Sequence, residues 1–255
     1  MRIGSCVVGM ATGLLMLSAQ GIAAEAAEIR VIASPGLSAA FGDLGPQFER
    51  VTGHTLAIQY GLVVAQKQRI DSGEFDLAIV PGFVLDDAIK QGRIAADTRT
   101  AVARVDLGVG MRAGAVKPDL TSVDAFKRAL LNAKSVAYVT DEPAGRTILK
   151  GFERLGIAEP MNAKTKSQTN VAHVWQAVAS GEVELGFGFT SNLLSVQGVQ
   201  LAGPFPSELQ YSVVMTAGIG VTAKQANAAR DFIKYLLAPG AVAAMKAKGL
   251  EPVTP

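Results

Sequence analysis

From residue 28 onward, short apolar runs alternate with stretches in which apolar residues recur at helical spacing. Residues 28–33, 55–60 and 75–80 predict strands. Residues 37–51 and 64–72 predict the helices between them, the first with Phe41, Leu44 and Phe48 on one face. Strand–helix alternation of this kind implies parallel strands joined by right-handed crossovers, with ligands held beyond the carboxyl ends of the strands. A helix near 85–91 precedes a long apolar run, 101–111, interrupted by Arg104 and Asp106, which predicts a crossing into a second lobe. There the pattern predicts strands at 135–140 and 183–189 and helices at 146–155 and 171–180. A return crossing at 199–206 leads to a strand at 211–221 and a last helix at 223–237. The expected fold is α/β and two-lobed, each lobe a mixed, mainly parallel sheet flanked by helices. Residues 27–104 with 205–255 form lobe 1, residues 105–204 form lobe 2, and the ligand cleft lies between them.

The N-terminus breaks this pattern. Met1-Arg2, an apolar run over 3–17 and a small-residue stretch over 21–27 predict a secretory signal peptide, residues 1–26, cut after Ala24 or Ala26. A membrane anchor needs about twenty apolar residues without the small and polar positions present here. The single cysteine, Cys6, lies inside the signal, so the mature chain has no thiol, disulfide or cysteine metal site. Cys6 also precedes the apolar core, which argues against a lipoprotein. The expected product is a periplasmic protein without membrane insertion. Its hydrophobic content of 49% supports a real core, and a net charge of +2 without a basic run argues against nucleic acid.

Candidate chemistry concentrates where strand 135–140 turns through Glu142-Pro143-Ala144-Gly145 into a helix beginning at Arg146. Free N–H groups and the positive end of a helix dipole suit an anion there. Lys67, Arg69 and His173 are further cationic candidates. Each has a plainer reading: Lys67 and Arg69, two apart on a helix, do not face the same way. Arg146 can pair with Glu142 or Asp141, and His173 can be a buried, hydrogen-bonded side chain. Tyr60 and Phe189 are core aromatics or cleft residues, Asp76 reads as a turn or cap partner, and His54 as surface. No Ser/His/Asp order, metal-spaced histidine pair or phosphate loop is present, and no cofactor or metal is expected.

From Glu28 to Gly249 the chain resembles the periplasmic molybdate-binding proteins of the type 2 solute-binding fold. The resemblance rests on Val31-Ile-Ala-Ser34 with the helix ending Gln47-Phe48, on the segment from Ile70 to Ile79, on Glu142-Pro143-Ala144-Gly145, and on the segment from Gly181 to Gly186. It implies an oxyanion held by a serine after each of the first two strands, two backbone N–H groups in the second lobe, and a tyrosine. Carried over by position, the backbone donors fall on Ala144, beside Gly145, and on Val171, and the tyrosine position falls on Phe189. The first serine position falls on Gly36, flanked by Ser34 and Ser38. The second falls in Tyr60-Gly-Leu-Val-Val64, which holds no serine.

Each missing donor leaves an oxyanion oxygen desolvated at about 1–3 kcal/mol. An organic anion is therefore expected in preference to molybdate, with Arg69 or Arg146 pairing with a carboxylate. Two functions stand. One is a monomeric solute-binding protein that presents a small carboxylate to an ABC permease. The other is a cofactor-free isomerase of a small polycarboxylate, of the aconitate isomerase kind, with His173, Glu142 or Lys67 as the base.

Overall fold

The structure, a computed structural model, describes residues 26–194 and 196–253. The signal-peptide expectation falls almost wholly on residues 1–25, outside the described residues.

The first lobe begins with strand β1 (Glu28–Ala33), a 3-10 turn (Pro35–Leu37) and helix α1 (Ser38–Thr52). Strand β2 (Thr55–Tyr60), helix α2 (Val63–Ser72), strand β3 (Leu77–Pro81) and helix α3 (Gly82–Lys90) follow. Strand β4 (Thr100–Arg112) leads into the second lobe, which holds α4 (Val123–Asn132), β5 (Val136–Val139), α5 (Pro143–Arg154) and α6 (Ala158–Lys164). It continues with β6 (Thr165–Gln168), α7 (Val171–Ser180), β7 (Leu185–Phe189), the single turn α8 (Thr190–Leu193) and β8 (Val199–Pro204). The chain ends through β9 (Ser212–Ile219), α9 (Ala226–Leu236), α10 (Pro239–Ala247) and β10 (Glu251–Pro252).

The strands run in the order β2-β1-β3-β9-β4-β7-β5-β6. β1 pairs in parallel with β2 and β3, as β5 does with β6 and β7, whereas β9 and β4 between these two halves are antiparallel to their neighbours. β4 serves both halves: Thr100 to Asp106 pairs with β9, and Leu107 to Met111 pairs with β7. The run expected as a return crossing at 199–206 is a strand in its own right, because β8 pairs antiparallel with β4 over Gly108 to Arg112. The chain reaches β9 only after a 3-10 turn at Ser207–Leu209.

Burial on both faces explains the continuous apolar strands. In β3, Leu77 and Ile79 enter one core with α1 and α9, while Ala78 and Val80 enter another with α3. In β5, Val136 and Tyr138 face one cluster and Ala137 the cluster around Trp175. Phe41 and Phe48 of α1 meet Phe232 of α9 with ring centroids 5.6 and 4.8 Å apart.

Two local expectations sort differently. His54, expected at the surface, is 6% exposed; its Nδ1 accepts from Ala27 N and its ring packs near Phe48, because the turn folds under the start of β1. Asp76 is structural: its carboxylate accepts from Arg30 N, Arg30 Nε, Lys224 N and Gln225 N, tying β1 to the approach to α9. Burial pushes its carboxyl up, but these donors outweigh it and hold the pKa below the ordinary value.

Candidate functional site

A cavity of about 90 Å³ lies between the lobes at the carboxyl ends of the parallel strands. Five helix starts meet its wall: those of the 3-10 turn after β1 and of α2, α3, α5 and α8. In none of the five does the capping residue supply a side-chain acceptor. Apart from Val63 N, which the Glu142 carboxylate reaches, the N–H groups that these starts do carry have no side-chain cap and suit an anion, and the longer helices α2, α3 and α5 add dipoles of about 0.3–1 kcal/mol each and up to ~2 when partly buried. α7 differs, because Asn170 caps it by accepting from His173 N. Val213 and Met215 of β9 contribute apolar lining, and Phe83, Ile148 and Phe187 add to it.

Among the described residues the lining contains no Lys, Arg or His, which corrects the expectation of a cationic cleft. Lys67 points along the surface to Asp87 on α3, with Nζ and Oδ2 2.9 Å apart. Arg69 turns back and donates to Tyr60 O at 3.0 Å. Arg146 is exposed on α5 and donates to Asp141 O at 2.7 Å, outside the lining. His173 is exposed, its ring 3.1 Å from the Asn170 side-chain nitrogen that belongs to the α7 cap. Each long side chain has settled on a nearby acceptor brought up by helix packing or by its own turn.

The remaining predicted residues divide. Ser34, Gly36, Glu142, Ala144, Gly145, Val171 and Phe189 line the cavity. Ser38 is the exposed first residue of α1, and Tyr60, 36% exposed, and Val64, 65% exposed, lie outside the lining. Val63 stands in for Val64, because α2 begins one residue earlier than its apolar pattern suggests. Gly145 has a steric reason to be glycine: a Cβ there would collide with Val139 O and stand 2.8 Å from Thr140 O. The start of α5 is pressed against the end of β5.

The polar groups missed by sequence reasoning are Gln66, Asn192, Tyr138 and Tyr211. Gln66 had a signal, since it shares a helical face with Val63 and Ile70 and is 1% exposed. The tyrosines arrive from β5 and from the approach to β9, so no local pattern marks them. The Tyr138 phenol is raised by burial and engaged by Thr165. Tyr211 stacks on Phe189, the position where the resemblance places a tyrosine, with centroids 6.3 Å apart. Burial raises its pKa, with Arg146 pulling it down and Glu142 pushing it up.

Among the described residues Glu142 is the one carboxylate in the lining. Its Oε2 accepts from Val63 N, 3.4 Å away across the cleft, so a second-lobe carboxylate occupies a first-lobe helix start. Burial raises its pKa; the Val63 N–H and Arg146 oppose the rise, and Asp141 adds to it. The cleft therefore combines open N–H donors for oxyanions with a single carboxyl able to exchange a proton.

Similar proteins fit this geometry. The chain is 29% identical to an aconitate isomerase from a Pseudomonas species over 253 residues, covering 96% of each chain. It is 27% identical to the molybdate-binding protein of Azotobacter vinelandii over 248 residues, covering 95% of each. The solved structure of an Azotobacter vinelandii periplasmic molybdate-binding protein superposes with a TM-score of 0.74 at 21% identity, covering 89% of this chain and 99% of that one. That likeness shows the two-lobed fold. With residues 29–251 matched as "Bacterial extracellular solute-binding protein", the chain belongs to that solute-binding family.

Proposed function

We propose that the protein binds a small polycarboxylate between its lobes in the periplasm and shifts a proton on it, as an isomerase of the aconitate type that needs no cofactor. Glu142 carries this reading. Two unit negative charges 4 Å apart repel by about 4 kcal/mol at an effective dielectric of 20, so a carboxylate in the lining weakens binding of any polyanion, a cost that a role in the chemistry would explain and simple capture would not. A carboxyl whose pKa is raised by burial suits proton transfer.

The Glu142 carboxylate takes a proton from the methylene carbon of the bound acid. The C–H electron pair forms the new double bond, the old double bond moves its pair to the former vinyl carbon, and the Glu142 carboxyl returns the proton there. No oxidant or reductant is consumed. Negative charge that builds on the substrate carboxylates meets the N–H groups of the turn after β1 and the starts of α2 and α5. Tyr211 supplies a phenol donor at the same wall. Lys67 and His173, away from the lining, take no part.

Incubating the mature protein with cis- and trans-aconitate and following their interconversion chromatographically tests the reading. Interconversion is expected; its absence, together with thermal stabilisation by molybdate alone, overturns it.

The second reading is a binding protein that hands a carboxylate to an ABC permease. The division of β4 between β9 and β7 favours it, because the change of partner between Asp106 and Leu107 is a place for hinge closure of lobes 27–104 with 205–255 and 105–204. Tight binding of aconitate without turnover would select this reading.

A further inference from the structure

We infer that Gln66 is a positioning residue that makes the Ser34 hydroxyl a one-way hydrogen-bond donor into the cleft. The inference rests on the reading that this cleft holds an oxyanion, and it adds a residue that fixes how one donor is aimed. Gln66 is 1% exposed and Ser34 4% exposed, and both line the cavity. The Gln66 Nε2 donates to Gly61 O at 2.7 Å and to Ser34 Oγ at 2.9 Å. Gly61 O can only accept, so the amide nitrogen must face it, and the amide cannot be reversed without setting two acceptors against each other. Gln66 Oε1 is buried and has no partner among the described residues, which is the cost of holding this orientation. Ser34 Oγ thus receives an N–H from the protein side. Among the described residues its own proton finds no acceptor, which leaves it for an oxygen in the cleft.

The test is a double-mutant cycle on the mature protein with trans-aconitate and molybdate as separate calorimetric probes. Ser34→Ala and Gln66→Met are each expected to weaken binding of the accepted probe about tenfold, and the double variant no more than either alone. Gln66→Met also leaves Gly61 O unpaired and lowers the unliganded melting temperature, but a purely structural role would not produce the coupling in affinity. Additive losses, or a loss with Ser34→Ala and none with Gln66→Met, would overturn the inference. So would an unchanged affinity in Ser34→Ala. If the wild type binds a probe without isomerising aconitate and the coupling persists, the isomerase reading fails while this one stands. A wild type that binds neither probe overturns both.

Discussion

The two walls of the cleft hold their polar groups in opposite ways. On the first-lobe wall the side chains are tied to one another: Ser34, Gln66 and Gly61 O form a closed set, and Gly36 faces movable groups, with Ser191 Oγ 3.1 Å and Asn192 Oδ1 3.6 Å from where its Cβ would stand. On the second-lobe wall the backbone itself sets the geometry, because the α5 start is wedged against Val139 O and Thr140 O, and Glu142 reaches out to Val63 N. One wall is adjustable through side chains. The other is rigid and carries the titratable group. A ligand-specific change is therefore easier on the first wall, and the chemistry belongs to the second.

The sharpest test of that division is Glu142→Gln. It keeps the shape and removes the exchangeable proton, so aconitate interconversion should fall by about 10²–10⁴-fold while binding survives. Turnover that persists would move the chemistry off this wall. Next in size, Gly145→Ala should cost about 3 kcal/mol in urea denaturation and abolish binding, since backbone must move, whereas Gly36→Ala should cost under about 1 kcal/mol. Equal costs would erase the contrast between the walls.

A smaller effect is expected in the pH dependence of melting. Because the folded pKa of Glu142 is raised, the native state holds its proton over a range where the unfolded chain has lost it. The protonated form keeps its full stability below the unfolded pKa, and stability falls as pH rises through the folded pKa. Glu142→Gln should therefore melt higher than wild type above the folded pKa and match it at low pH. The smallest effect is expected from Arg146→Ala, whose guanidinium is occupied by Asp141 O on the exposed side of α5: affinity for trans-aconitate should change less than about twofold.

The sequence pattern made β1, α1, β2 and α7 legible because their apolar periodicity is local and their caps or glycine stops lie in the same few residues. Gly53 and Gly181, for example, end α1 and α7 in the left-handed conformation, with φ 77° and 81°. β6, whose residues are polar and half-exposed at the sheet edge, carried no such signal. α10 begins at Pro239, three residues after α9 ends at Leu236, and the break hid it. Around the cavity, the turn at Glu142 to Gly145 was marked by its strand end and helix start, whereas Val171 and Phe189 were placed only by what the family resemblance implies; all of them line the cavity. The cations were not, because a long side chain pairs with whatever packing brings near: Lys67 found Asp87 on a neighbouring helix, and Arg69 found the carbonyl of Tyr60.

By itself, then, the sequence determined an α/β chain with an anion-favouring turn before α5, since periodicity, glycine and proline act over a few residues. Only the tertiary structure decided what the cleft contains. Glu142 meets Val63 from 79 positions away and Gln66 meets Ser34 from 32, and the four cations stay outside the lining. Contacts of that range depend on how helices pack on their strands and on how the two lobes meet, which no local pattern records.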